Sequence, residues 1–147
     1  VLVKTKGEEK LPVEKQSVTD FSPSLEKIHL NAKIRIAELS SNKKFAVYGA
    51  NAGSQAMFGF FPQIKPEFII DDTPSYEGAF GYSSEARFKI VKPTAENLRS
   101  VEAVLIAAYI HDKVISEKIR AAGFVGDIYS LRPPSDNSGT VRSLFAS

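Results

Sequence analysis

Residues 43–61 read KKFAVYGANAGSQAMFGFF. The apolar run Phe45-Ala46-Val47-Tyr48 is too short for a helix and unbroken by polar residues, which suits a strand buried on both faces. Gly49 ends it, and small residues follow to Gly53. Apolar positions then return at helical spacing, which predicts a helix over Ala52–Phe60 packing Ala56, Met57 and Phe60 inward. A buried strand, a glycine turn and a helix in immediate succession form the opening unit of an α/β sheet.

Working outward, the same alternation continues. Upstream, Leu25, Ile28, Ala32, Ile36 and Leu39 recur every three or four residues, so a leading N-terminal helix runs from about Ser22-Pro23 to Ser40-Ser41-Asn42. Downstream, Glu67–Asp71 reads as a second strand and Arg87–Val91 as a third. Between them Thr73–Ala86 reads as a long loop, of a length often functional and here able to close over a ligand. Pro93-Thr94 opens a small helix ending near Arg99. Ala103–Ala107 is the clearest core strand. Asp112–Ala122 is a helix with Val114, Ile115, Ile119 and Ala122 inward and Gly123 at its C-terminal cap. Asp127–Leu131 is the last strand. Strands alternating with helices predict a doubly wound, mostly parallel α/β sheet. The expected organisation is a flexible tail or linker over residues 1–21, one folded domain over 22–134 and a flexible tail over 135–147.

The totals narrow the function. A chain of 147 residues with 43% hydrophobic and 24% charged residues can bury a core of ordinary size. A net charge of +2 without a basic run argues against a nucleic-acid partner. There is no cysteine, which excludes disulfides and thiolate zinc sites. His29 and His111 are too far apart in sequence to suggest metal-ligand spacing, and His29 reads as structural or exposed. No apolar stretch approaches the ~20 residues that span a bilayer, and a cytoplasmic location is expected. The start at Val1 rather than Met suits a processed product or a piece of a longer protein.

Three places could carry a ligand. In dinucleotide-binding folds G-x-G-x-x-G follows the first strand, and a helix N-terminus receives the pyrophosphate. Here the register is Gly49-Ala50-Asn51-Ala52-Gly53-Ser54, so only the first glycine is in place. Free amides across Gly49, Ala50, Asn51, Ala52 and Gly53 would still favour an anion, while the Asn51 side chain crowds a dinucleotide. Asp71 and Asp72 close the second strand about 20 residues further on, where an acid commonly accepts from ribose hydroxyls. Tyr109 and His111 follow the core strand, at the sheet edge where ligands of open α/β folds collect; they are expected to face the Gly49 turn.

These landmarks carry a resemblance. Phe45-Ala46-Val47-Tyr48-Gly49-Ala50-Asn51-Ala52 resembles the "YGA-x-A" opening of the C-terminal domain of sugar C-methyltransferases. Phe68-Ile69-Ile70-Asp71-Asp72-Thr73-Pro74 is similar to that family's "hydrophobic-D-x-x-P". Tyr76-Glu77-Gly78 with Gly81 resembles its "K-x-G … P-G" loop, and Val104–Tyr109 resembles its strand ending in an aromatic. Coverage is roughly residues 21–134. The same landmarks resemble nucleotide-sugar domains of polysaccharide-biosynthesis epimerases and dehydratases. The resemblance implies a Rossmann-like fold and a nucleotide-sugar ligand, with diphosphate over the turn Gly49–Gly53, Asp71 or Asp72 on hydroxyls, and Tyr109 and His111 along the far wall. It also implies a substrate-side domain that holds no cofactor and is not catalytic alone. S-adenosylmethionine would belong to a separate or upstream methyl-donor domain. The alternatives are a small NAD(P)-binding oxidoreductase or sensor and a non-enzymatic interaction module.

Overall fold

The computed structural model describes residues 30–133 and 141–145. The expected tail over 1–21, the start of the leading helix, His29 and residues 134–140 lie outside them.

The leading helix occupies 30–42 (α1). Then come β1 (Phe45–Tyr48), α2 (Ala52–Phe60), β2 (Ile69–Ile70), β3 (Phe80–Tyr82) and β4 (Arg87–Val91). They are followed by α3 (Ala95–Arg99), β5 (Ala103–Ile106), α4 (Asp112–Ala121), β6 (Asp127–Ser130) and β7 (Arg142–Ser143). The sheet has seven strands in the order β3-β4-β2-β1-β5-β6-β7. Every pairing is parallel except that of β3 with β4. With the antiparallel edge strand set aside, the parallel strands stand third-second-first-fourth-fifth-sixth in chain order, the arrangement of doubly wound dinucleotide folds. The fold is α/β and Rossmann-like.

Alternation along the strands divides the core. Phe45 and Val47 point to the face covered by α1 and α2, where Ile36, Met57, Phe58 and Ile64 are buried with them. Ala46 and Tyr48 point to the other face, against Leu98 of α3 and Ile119 of α4. Each large side chain fully removed from water, such as Phe58 or Ile36, contributes about 1.5–3 kcal/mol relative to exposure. Ala32, Ile36 and Leu39 form the buried stripe expected of the leading helix.

Four expectations need correction. In α2 the buried residues are Ser54, Met57 and Phe58, whereas Ala56 is exposed and Phe60 is 70% exposed. The inward face turns with the cap that starts the helix, which brings Ser54 into the core side. In α4, Ile119 is buried and Ile115 partly so, but Val114 and Ala122 lie outside. The segment over Thr73–Ala86 is no free loop: β3 pairs Phe80 with Lys89 and Tyr82 with Arg87. Its middle residue is a glycine and its two aromatics share the exposed side, so no apolar alternation marks it. Finally, the tail assigned to 135–147 returns to the sheet. Arg142–Ser143 pair with Tyr129–Ser130, and Val141 and Leu144 are buried; the folded unit extends beyond residue 134.

Candidate functional site

The order of parallel strands reverses between β1 and β5, and in open α/β sheets ligands collect beyond the carboxyl ends of the strands at such a point. Gly49 leaves β1 with φ +111°, and a Cβ there would lie 3.2 Å from the Ala108 amide nitrogen and 3.3 Å from the Ala108 Cβ. Only glycine suits both the left-handed backbone and the close approach to the chain leaving β5. A hydrogen bond from the Ala107 amide to the Tyr48 carbonyl (2.9 Å) fixes the two strand exits together.

The two residues that stand where the fingerprint has glycines bond each other. The Ser54 amide donates to Asn51 Oδ1 (3.0 Å), and the Asn51 amide donates to Ser54 Oγ (3.1 Å). The Ser54 hydroxyl also donates to the Asn51 carbonyl (2.9 Å). This is a reciprocal capping box, in which Ser serves at the third helical position. The Asn51 side chain therefore folds back on the first turn of α2.

This alters the expected anion cradle. The Gly49 amide donates to the Ile70 carbonyl (2.8 Å), the Ala50 amide to Asp71 Oδ2 (2.7 Å), and the Asn51 amide to Ser54. Of the five amides over Gly49–Gly53, those of Ala52 and Gly53 alone lack a protein partner among the described residues. The reason lies in the chain itself: a carboxylate and a hydroxyl within reach satisfy the turn before any ligand arrives.

Asp71, half-buried, directly follows β2 and reaches the Gly49 turn at the Ala50 amide. Its second oxygen accepts from the Thr73 amide (2.8 Å), so each oxygen holds one backbone donor and keeps acceptor capacity for another. Asp72 turns the other way. It accepts from the Tyr48 hydroxyl (2.6 Å) and from Lys118 Nζ (2.5 Å) of α4. Burial opposes ionisation of Asp72, but the Lys118 ammonium and the Tyr48 hydroxyl outweigh it and hold the carboxyl below its usual range. Burial, reinforced by the neighbouring Asp72 carboxylate, pushes the Tyr48 phenol far above its usual range.

Tyr109 and His111 lie on one 3-10 turn directly after Ala108, both exposed. Neither side chain makes a hydrogen bond among the described residues, and the His111 side chain does not cap α4. The Gly49 turn thus meets Asp71, while Asp72 belongs to a contact with β1 and α4. Below the Tyr109 turn lies a network that the sequence pattern did not reveal. Asp112, fully buried at the start of α4, accepts from Arg132 Nε (2.7 Å), Arg132 Nη2 (2.6 Å) and the Ser130 hydroxyl (2.8 Å). Arg132 Nη2 also donates to the Tyr109 carbonyl (3.3 Å). The Arg132 guanidinium, helped by Ser130 against the cost of burial, lowers the Asp112 carboxyl below its usual range. Asp112 and Arg132 are twenty positions apart on different elements, so no spacing announces them. The Asn51-x-x-Ser54 box is local, but with Ser where a capping box has Glu or Gln the sequence did not mark it as a cap.

Compared with protein-family models, curated proteins and solved structures, the chain matches none. Among the described residues no group of three or more potential metal ligands converges, and no helix is long and apolar enough to cross a membrane.

Proposed function

We propose that this chain is a nucleotide-sugar-binding domain, the substrate-side part of an S-adenosylmethionine-dependent sugar methyltransferase system, which binds its ligand but does not turn it over alone. One observation carries the reading: the Asp71 carboxylate, fixed by the Ala50 and Thr73 amides beside the glycine turn that leaves β1. A carboxylate held in this way has acceptor capacity directed away from its backbone donors, which suits hydroxyls of a ribose or sugar. The diphosphate then belongs beyond it, at the Ala52 and Gly53 amides, where the start of α2 favours negative charge. This position is narrower than the five-residue cradle inferred from sequence and keeps the phosphates away from Asp71. The Asn51 cap over the second fingerprint position disfavours a dinucleotide of the NAD type, which needs bare backbone there.

Titration with UDP- and dTDP-sugars, read by thermal unfolding, tests this. Ligand at 100 times its dissociation constant should add ~2.7 kcal/mol of stability. Asp71→Asn should weaken binding about tenfold, the usual scale for a hydrogen bond to a charged group. Absence of any shift at millimolar ligand defeats the proposal. Enhanced fluorescence of added NADH, with no response to nucleotide sugars, would favour an oxidoreductase or sensor.

A further inference from the structure

We propose a second ligand site, independent of the Gly49 turn and Asp71: the hollow between α1 and the β6–β7 edge binds a small monocarboxylate with a flat or branched apolar body. The hollow encloses about 220 Å³ and is lined in part by Arg35, Glu38, Lys43, Tyr129, Arg142 and Leu144. At roughly 30 Å³ for each water in the liquid, that is room for about seven waters, enough for an acid of about the size of benzoate.

The charges select the sign. Arg35, Lys43 and Arg142 line this hollow with a single acid, Glu38. Arg35 pairs with Glu38 at 3.4 Å, and Lys43 pairs with Asp127 at the amino end of β6. Arg142 has no carboxylate partner among the described residues. Its guanidinium carbon instead stands 6.0 Å from the centre of the Tyr129 ring, opposite it in the β6–β7 pairing. Lys43 Nζ stands at the same distance, 6.0 Å, from the same ring. Among the described lining residues and Asp127, cations exceed acids by one, which suits a singly charged anion. The Tyr129 ring and the buried Leu144 side chain also line the hollow and offer apolar surface to a compact hydrocarbon body. An Arg fork above an aromatic plane suits a planar carboxylate, which it can hold through two parallel hydrogen bonds.

The test titrates the whole chain with sodium benzoate, with benzamide as the uncharged isostere and with inorganic phosphate, followed by calorimetry and proton–nitrogen correlation spectra. Benzoate should bind in the millimolar range and perturb the amides of Lys43, Tyr129 and Arg142, and benzamide should bind at least tenfold more weakly. Arg142→Gln, on an exposed strand position, should weaken benzoate about tenfold with the melting temperature unchanged. Asp71→Asn should leave benzoate binding as it was, which separates this site from the Gly49 turn. The proposal is overturned if benzamide equals benzoate, if phosphate binds more tightly than benzoate, or if the perturbed amides lie elsewhere. The wild-type spectra decide the matter even if the Arg142 variant folds poorly.

Discussion

Two helices start at the carboxyl edge of this sheet, α2 after β1 and α4 after β5, and they satisfy their first turns in opposite ways. At α2 the cap is neutral and local: Asn51 and Ser54 bond each other's backbone, and two amides remain available to solvent. At α4 the first residue is a fully buried carboxylate, closed by the Arg132 fork and the Ser130 hydroxyl from the neighbouring strand. A buried charge without a partner costs several kcal/mol, so the α4 start is given over to structure. The α2 start satisfies its obligations within four residues and leaves the Ala52 and Gly53 amides without a protein partner among the described residues. Position at the carboxyl edge does not by itself set what a helix start does: α4 opens on a buried ion pair, and α2 on a neutral cap with two amides unpartnered among the described residues.

The largest test of that contrast removes the buried carboxylate. Asp112→Ala leaves Arg132 and Ser130 facing an empty polar space and should destabilise the fold by about 3 kcal/mol, read by urea unfolding. The pH dependence follows from the same group. Its folded-state carboxyl titrates below the unfolded range, so near pH 4 the unfolded chain binds more protons than the native state. Stability from Asp112 should be fully present above about pH 5 and fall away as the pH drops below about 4. Asp112→Asn should flatten that acid limb. An unchanged urea midpoint in Asp112→Ala would make the two helix starts equivalent and end the comparison.

How much of this was legible differs between the two starts for a physical reason. The α2 region is local: an apolar run, a glycine and a helical stripe lie within nineteen positions, and its bounds could be read directly. The doubly wound order followed from the same alternation, as did the helix stripe of Ala32, Ile36 and Leu39. The α4 network is not local, since Ser130 and Arg132 reach Asp112 only after β6 has paired beside β5. β3 and β7 escaped for a related reason. Each is two or three residues long, and each is defined by its neighbour in the sheet rather than by its own pattern. At the candidate site, Gly49 and Asp71 were placed together by fingerprint spacing. That Asp71 would itself occupy the Ala50 amide depends on how far β2 carries its last residue, which no spacing rule specifies.

A middle-sized effect should come from the neutral cap. Asn51→Ala should cost about 1 kcal/mol and Asn51→Gly only a few tenths, because glycine tolerates the cap position without supplying the hydrogen bond. Since Asn51 and Ser54 serve the same box, the Asn51→Ala and Ser54→Ala costs should not add; a coupling of about 0.5 kcal/mol in a double-mutant cycle is expected. Strict additivity would mean that the box does not act as a unit. A loss matching that of Asp112→Ala would mean that the α2 start holds the fold together no less than the α4 start does.

The smallest effect belongs to a contact between the last turn of α4 and the end of β2. Lys118 of α4 reaches Asp72 beyond β2, but both side chains are about half exposed. Water screens such a pair, and holding a long lysine in one geometry costs entropy, so Lys118→Met should change stability by no more than about 0.5 kcal/mol. The change should shrink further in 1 M salt, where charges are screened within about 3 Å. Asp72 keeps its second partner, the Tyr48 hydroxyl, on the core side, so losing the lysine does not orphan it. A loss approaching 2 kcal/mol, insensitive to salt, would show that α4 is pinned to the end of β2 as firmly as to β6.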